Sequence, residues 1–145
     1  MRLLLNLIWL VLSGIWMAIA YLIAGVLMCI TIIGIPFGLQ AFKLAGFALW
    51  PFGRALVRRP DRHKGIHAIA NVLWFVLAGW WLALGHLVTG VLLCVTIIGI
   101  PLGLGAFKMA GAALVPFGRD VVDLRTAAER GLAADAIAIG KPPPG

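Results

Sequence analysis

Two stretches without a charged residue, Leu3 to Phe42 and Ala68 to Phe107, constrain this chain more than any other feature. Each is 40 residues long. A helix rises about 1.5 Å per residue, so either stretch as one straight helix would reach about 60 Å, against a hydrocarbon thickness of about 30 Å. Each stretch must fold back on itself. Three crossings would need about 51 residues at the shortest spanning length of about 17. One crossing followed by a surface helix is disfavoured, because Val26 to Ile35 has no polar face to present to headgroups. Two crossings per stretch are therefore expected. Composition agrees: the chain is 63% hydrophobic and 12% charged, whereas soluble domains run at about 45–50% and about 25%. The chain is read as an integral membrane protein.

The two stretches are copies of one another. Asn6 to Arg54 aligns on Asn71 to Arg119 at an offset of 65 without a gap, with 31 identities in 49 positions. Such density marks an internal duplication, clearest in CITIIGIPFGLQAFKLAG from Cys29 and CVTIIGIPLGLGAFKMAG from Cys94. The duplication also bears on the amino terminus. Its basic start, apolar centre and Ala18-Ile19-Ala20 fit a cleavable signal peptide by pattern, but the counterpart, Asn71 to Gly85, lies mid-chain. Residues 6–20 are thus expected to be retained structure. The organisation that follows is a first repeat over 1–54, a basic linker over 55–70, a second repeat over 71–119 and a polar tail over 120–145.

Charge placement orients this arrangement. The linker carries Arg54, Arg58, Arg59, Arg62 and Lys64 against Asp61, the tail carries Arg119, Arg125 and Arg130, and Arg2 marks the start. Short Lys/Arg-rich segments stay cytoplasmic, so both termini and the linker are expected inside. The predicted fold is all-α: two tandem helical hairpins in the same orientation, four transmembrane helices in all. The outer turns fall near Tyr21 and His86, and the second helix of each hairpin is kinked at Gly-Ile-Pro-x-Gly. Leu44 to Trp50 and Met109 to Val115 are expected to turn along the inner interface until Pro51 and Pro116 stop them. The tail from Asp120 to about Ile139 suggests a soluble helix, with 140–145 disordered.

Candidate functional residues are few. The five acids, Asp61, Asp120, Asp123, Glu129 and Asp135, all lie outside the apolar stretches, which leaves no residues for paired-carboxylate catalysis, carboxylate metal sites or an intramembrane acidic relay. No enzyme, cofactor or metal is expected. The helix breaks are the sharpest features: Thr31, Gly34, Pro36 and Gly38 in one copy, Thr96, Gly99, Pro101 and Gly103 in the other. Proline removes a helix hydrogen bond and glycine permits unusual backbone angles. Paired breaks inside lipid point either to a pore or binding site or to a kink that steers and packs the helix. Lys43 and Lys108 fall at the inner boundary, either snorkelling to headgroups or lining an inner mouth.

Arg54, Arg58, Arg59, Arg62 and Lys64 suit anionic lipid headgroups, and no fold for nucleic-acid recognition accompanies the +7 charge. Asn6 and Asn71 read as interhelical hydrogen-bonding groups or helix starts, and Cys29 and Cys94 as small buried residues.

The duplicated Thr-Ile-Ile-Gly-Ile-Pro-x-Gly…Ala-Phe-Lys…Pro-Phe-Gly-Arg, with Gly79-Trp80-Trp81 in the second copy, resembles the YccF family of small bacterial inner-membrane proteins over roughly Met1 to Val122. The first copy departs with Gly14-Ile15-Trp16, which affects only an interface anchor. The resemblance implies a bacterial inner-membrane location and supplies no reaction, ligand or catalytic residue. Two functions stand open, the first preferred on the twin helix breaks. One is an oligomeric channel or passive conduit with the breaks along the permeation path. The other is a non-conducting scaffold or accessory subunit of a larger membrane partner.

Overall fold

The computed structural model describes residues 2–60, 63–132 and 136–139. The chain is mostly helical. Helix α1, Arg2–Cys29, is 28 residues long and about 42 Å in length. It contains a π-helical turn at Leu10–Gly14. A tight turn over Ile30 to Gly34 leads into α2, Ile35–Leu49, whose 15 residues run antiparallel to α1 for about 22 Å. The second repeat copies this with α3, Lys64–Cys94, its π turn at Phe75–Gly79, and α4, Ile100–Leu114. Both long helices are apolar and long enough to cross a bilayer, while α2 and α4 are apolar but short.

The hairpin turns differ from the sequence expectation. They lie at 30–34 and 95–99, and Tyr21 and His86 sit inside α1 and α3. Gly-Ile-Pro-x-Gly therefore starts the second arm and does not kink it. Proline in the first turn removes an N–H that has no intrahelical partner, so Pro36 and Pro101 cost the helix nothing there. Nor do α2 and α4 bend onto an interface after the lysines. Each continues as unbroken helix, with Leu44, Phe47 and Ala48, and Met109, Ala112 and Ala113, buried in the common core. They stop where a residue preceding proline is forced out of helical angles, at Trp50 (φ −142°) and Val115 (φ −138°).

The fold is not purely helical. Each second arm ends in a Pro-Phe-Gly turn, with Gly53 at φ +95° and Gly118 at φ +74°, and passes into a strand. Strands β1, Arg54–Arg58, and β2, Arg119–Asp123, pair antiparallel, and a third strand, β3, Ile137–Ile139, joins the other edge of β1. Instead of one helix, the tail forms β2, a short helix α5, Leu124–Glu129, and β3. The expected disordered end, 140–145, and Arg62 lie outside the described residues.

The duplication is realised as an approximate two-fold axis. Leu56 faces Val121 directly in the β1–β2 register, and these are equivalent positions 65 apart. Tyr21 and His86, also 65 apart, share a hydrogen bond. Equivalent residues that touch must straddle the axis, so it runs from the sheet into the helices between α1 and α3. Both arms leave the same sheet, so both hairpin turns lie at the opposite end, and the hairpins share one orientation as expected.

Candidate functional site

Each hairpin is held by contacts that its own sequence supplies. The Trp9 indole N–H donates to the Ala48 carbonyl at 2.7 Å, and Trp74 donates to Ala113 at 2.6 Å. Gly14 and Gly79 leave room for these rings, since a Cβ at either position would meet the indole at about 3 Å. Asn6 offers both ends of its amide to the Phe52 backbone, donating to the carbonyl at 2.9 Å and accepting from N–H at 3.0 Å. Asn71 grips Phe117 in the same way, at 3.3 and 2.9 Å. The two asparagines therefore fix the Pro-Phe-Gly turn against the start of the long helix.

The residues singled out as helix breaks form the hairpin tips. Thr31 Oγ donates to the Met28 carbonyl at 3.2 Å and accepts the Gly34 N–H at 3.1 Å. Backbone bonds from Gly34 to Thr31, Ile35 to Ile32 and Gly38 to Gly34 complete the turn. Thr96 and Gly99 repeat it, with hydroxyl bonds of 3.1 and 3.0 Å. Gly38 and Gly103 face the opposite arm, where a Cβ would overlap the sulfur of Cys29 or Cys94. At both tips the glycines permit close packing within the hairpin. Around them Ile32 and Ile97 are each 87% exposed, and Ile33 and Ile98 are nearly as exposed.

The two lysines, equivalent in sequence, are not equivalent in space. Lys43 reaches across to the second repeat and donates to the carbonyls of Pro116 and Arg119, both at 2.8 Å. Lys108 is exposed. Its side of the fold is altered by β3, which packs against α4; a Cβ at Gly105 would meet Phe52 at 3.0 Å and Ile139 at 3.6 Å. That explains why glycine stands there while Gln40 occupies the equivalent place. Tyr21 Oη and His86 Nε2 lie 3.0 Å apart in a fully buried pair. His86 Nδ1, Ser13 Oγ and Gln40 Oε1 are buried without a protein partner. Cys29 and Cys94 are free thiols. Among the described residues no cluster of His, Cys, Asp and Glu is suited to a metal.

The basic linker becomes β1 and the approach to α3. Arg59 binds Asp120 with two hydrogen bonds, 3.1 Å from Nε and 2.5 Å from Nη2, and this holds the Asp120 carboxyl below its ordinary pKa of 3.8. Arg58, Arg59 and Lys64 meet Arg119 and His67 around a cavity of about 330 Å³ floored by the Gly118 turn. Arg54 instead lines two other recesses, one with Arg2 and Asn6, the other with Lys43 and Arg130, and Asp123 borders both. The sequence had placed Arg58, Arg59 and Lys64 at a lipid surface, but Asn71 and Arg119 had not been joined to them. The duplicated Pro-Phe-Gly-Arg was the available signal, since a turn with positive-φ glycine returns the following arginine to the helix start.

Comparison with known proteins agrees with the duplication. The family model for YccF, described as an inner membrane component domain, matches twice, over residues 4–54 and 69–119. The inner membrane protein YccF of Escherichia coli (strain K12) is 33% identical over 135 residues, covering 88% of this chain and 91% of that protein. The protein of the same name from Shigella flexneri matches to the same extent. No solved structure matches the chain. The twin matches coincide with the two hairpins and their Pro-Phe-Gly turns, and the chain belongs to the YccF family of inner membrane proteins.

Proposed function

We propose that this protein is a non-conducting membrane scaffold or accessory subunit, which holds two hairpins in the bilayer and a small sheet at the cytoplasmic surface. The observation that carries this reading is the character of the tips. A conduit needs polar groups or water along its path and an exit on the far side. The helix breaks that suggested a path are instead the tips, where Ile30, Ile32, Ile33, Val95, Ile97 and Ile98 are 75–87% exposed. The N–H groups of Thr31, Gly34 and Ile35, and of Thr96, Gly99 and Ile100, bond within their own turns, as hydrocarbon favours.

Depth follows from the same facts. Exposed apolar side chains run along α1 from Leu3 to the tip, about 39 Å from Leu3 to Cys29 by helical rise. This exceeds the hydrocarbon thickness of about 30 Å. Tilting of the hairpins accommodates the excess at modest cost, whereas extrusion would put the tip isoleucines in water. In this reading the tips end within the hydrocarbon. Both termini and the sheet lie inside, because the Arg and Lys residues gather at that end.

Reconstitution of the purified protein in liposomes tests the reading. Ion flux should equal that of empty vesicles, and solubilisation of native membranes in mild detergent should recover the protein with a larger membrane partner. Flux above empty vesicles that is abolished by Pro36→Ala and Pro101→Ala in assembled protein would restore the channel reading. Self-association is compatible with the scaffold but is not required by it.

A further inference from the structure

We propose that the cavity between the start of α3 and the Gly118 turn binds the phosphate of an anionic phospholipid headgroup. Four formally cationic side chains, Arg58, Arg59, Lys64 and Arg119, line it together with His67, and none of the described lining residues is an acid. Arg59 is shared with a carboxylate, Asp120. A cavity of about 330 Å³ with this lining has the charge and the room for a phosphodiester.

The floor of the cavity is built by specific contacts. The Arg59 N–H donates to the Gly118 carbonyl at 2.8 Å, and Asn71 grips Phe117 beside it. Gly118 is at φ +74°, and a Cβ there would meet the His67 ring at 3.0 Å, so the imidazole lies directly over the turn. These contacts tie the linker, the start of α3 and the turn before β2 into one frame. The cationic groups are thus presented from three chain segments on a shared support.

The duplication supplies an internal control. The equivalent recess of the first repeat, with Asn6 for Asn71, Phe52 for Phe117 and Gly53 for Gly118, is lined by Arg2, Arg54 and Asp123. Its glycine carbonyl accepts the Leu124 N–H, where the second copy has Arg59. At the offset of 65, Arg58 corresponds to Asp123 and Lys64 to Glu129. One scaffold therefore occurs twice, but the first copy sets two arginines against Asp123 where the second sets four cationic side chains with no acid among its described lining residues, which predicts one headgroup per chain.

A lipid, and not free phosphate, is the occupant because of what continues from the cavity. Ala68, Val115 and Phe117 complete its wall, and one turn beyond Asn71 on the same stripe of α3 the Phe75 ring is 48% exposed. A phosphate seated among the arginines would have its acyl chains along that apolar face. The scaffold reading does not depend on this site, and absence of flux would neither support nor oppose it.

The test is native mass spectrometry of the full chain in detergent, titrated separately with dioleoyl-phosphatidylglycerol, dioleoyl-phosphatidylcholine and inorganic phosphate. Arg58→Gln/Lys64→Gln removes two exposed charges from the cavity. Arg125→Gln/Arg130→Gln removes two exposed charges outside it, and thermal unfolding verifies that both variants fold. The proposal predicts one tightly held phosphatidylglycerol per chain, weakened roughly tenfold to thirtyfold by the first variant, at about fivefold per interfacial charge, and less than twofold by the second. Equal weakening in both variants would overturn it in favour of diffuse surface charge. Displacement of the lipid by millimolar inorganic phosphate would overturn the lipid assignment, and equal retention of phosphatidylcholine would overturn selectivity for an anionic headgroup.

Discussion

Gly38→Ala and Gly46→Ala place the same methyl group on the same helix and should have opposite effects. At Gly38 an added Cβ overlaps the Cys29 sulfur and lies 2.7 Å from the Gly25 carbonyl oxygen, whereas at Gly46 nothing lies within 4 Å. Replacing an interior helical glycine with alanine gains about 0.5–1 kcal/mol through backbone entropy and propensity. That gain is common to both sites and cancels in their difference. What remains is the overpacking at Gly38, about 1–3 kcal/mol. Gly46→Ala should therefore stabilise by about 0.5–1 kcal/mol, and Gly38→Ala should fall below it by about 1–3 kcal/mol. Cys29→Ala in the Gly38→Ala background should recover part of the loss but not all, because the Gly25 oxygen belongs to the backbone of the facing arm. The second repeat offers a replicate, with Gly103 against Cys94 and the Gly90 oxygen, and Gly111 in open space. Unfolding by sodium dodecyl sulfate in mixed micelles, followed by circular dichroism, gives the free energies. Equal shifts at Gly38 and Gly46 would refute the close arm-to-arm register and return the Gly-Ile-Pro-x-Gly segment to a kink.

Other outcomes follow from named contacts. Tyr21→Phe and His86→Leu, singly and together, should show a coupling of about 0.6–1.7 kcal/mol in a double-mutant cycle, the range for polar contacts between membrane helices; zero coupling would separate the two repeats at that level. The Arg59–Asp120 pair should contribute no more than about 1 kcal/mol, since both side chains are about half exposed. Its pH dependence has a fixed sign. Because the folded pKa of Asp120 lies below 3.8, the stabilisation is complete above that value and is lost as pH falls through the folded pKa. Wild type and Asp120→Asn should therefore differ in stability at pH 7 and approach one another as pH falls below 3.8; a gap that widens on acidification would contradict the pairing.

Much of this architecture was legible in the residues. The uncharged stretches required hairpins, and the 65-residue offset required two copies of one hairpin in a common orientation. The turn was misplaced because Pro36 admits two readings, a break within a helix or its first turn, and length arithmetic alone preferred an earlier turn. Thr31 three residues before Gly34 was the deciding local signal, for its hydroxyl caps the turn that Pro36 then follows. The strands were hidden by charge: Arg54 and Arg58 enclose Ala55, Leu56 and Val57, and the arginines read as a solvated linker. Pairing with β2 and β3 depends on residues more than 60 positions away, which local pattern does not encode. The same long-range pairing separates Lys43, bonded across the repeats, from exposed Lys108, and gathers Arg119 with the linker cations.

Cysteine accessibility in intact membranes tests the central claim most directly. In a background with Cys29 and Cys94 replaced by alanine, single cysteines at Ile32, Ile97 and Arg58 would be exposed to a membrane-impermeant maleimide in right-side-out and inverted vesicles. Cysteine at Arg58 should label rapidly in inverted vesicles only. Cysteines at Ile32 and Ile97 should resist labelling from both faces and react once detergent dissolves the bilayer. Rapid labelling of either tip from the outer face would mean that the hairpins emerge into water, and would contradict a scaffold whose tips end in the hydrocarbon.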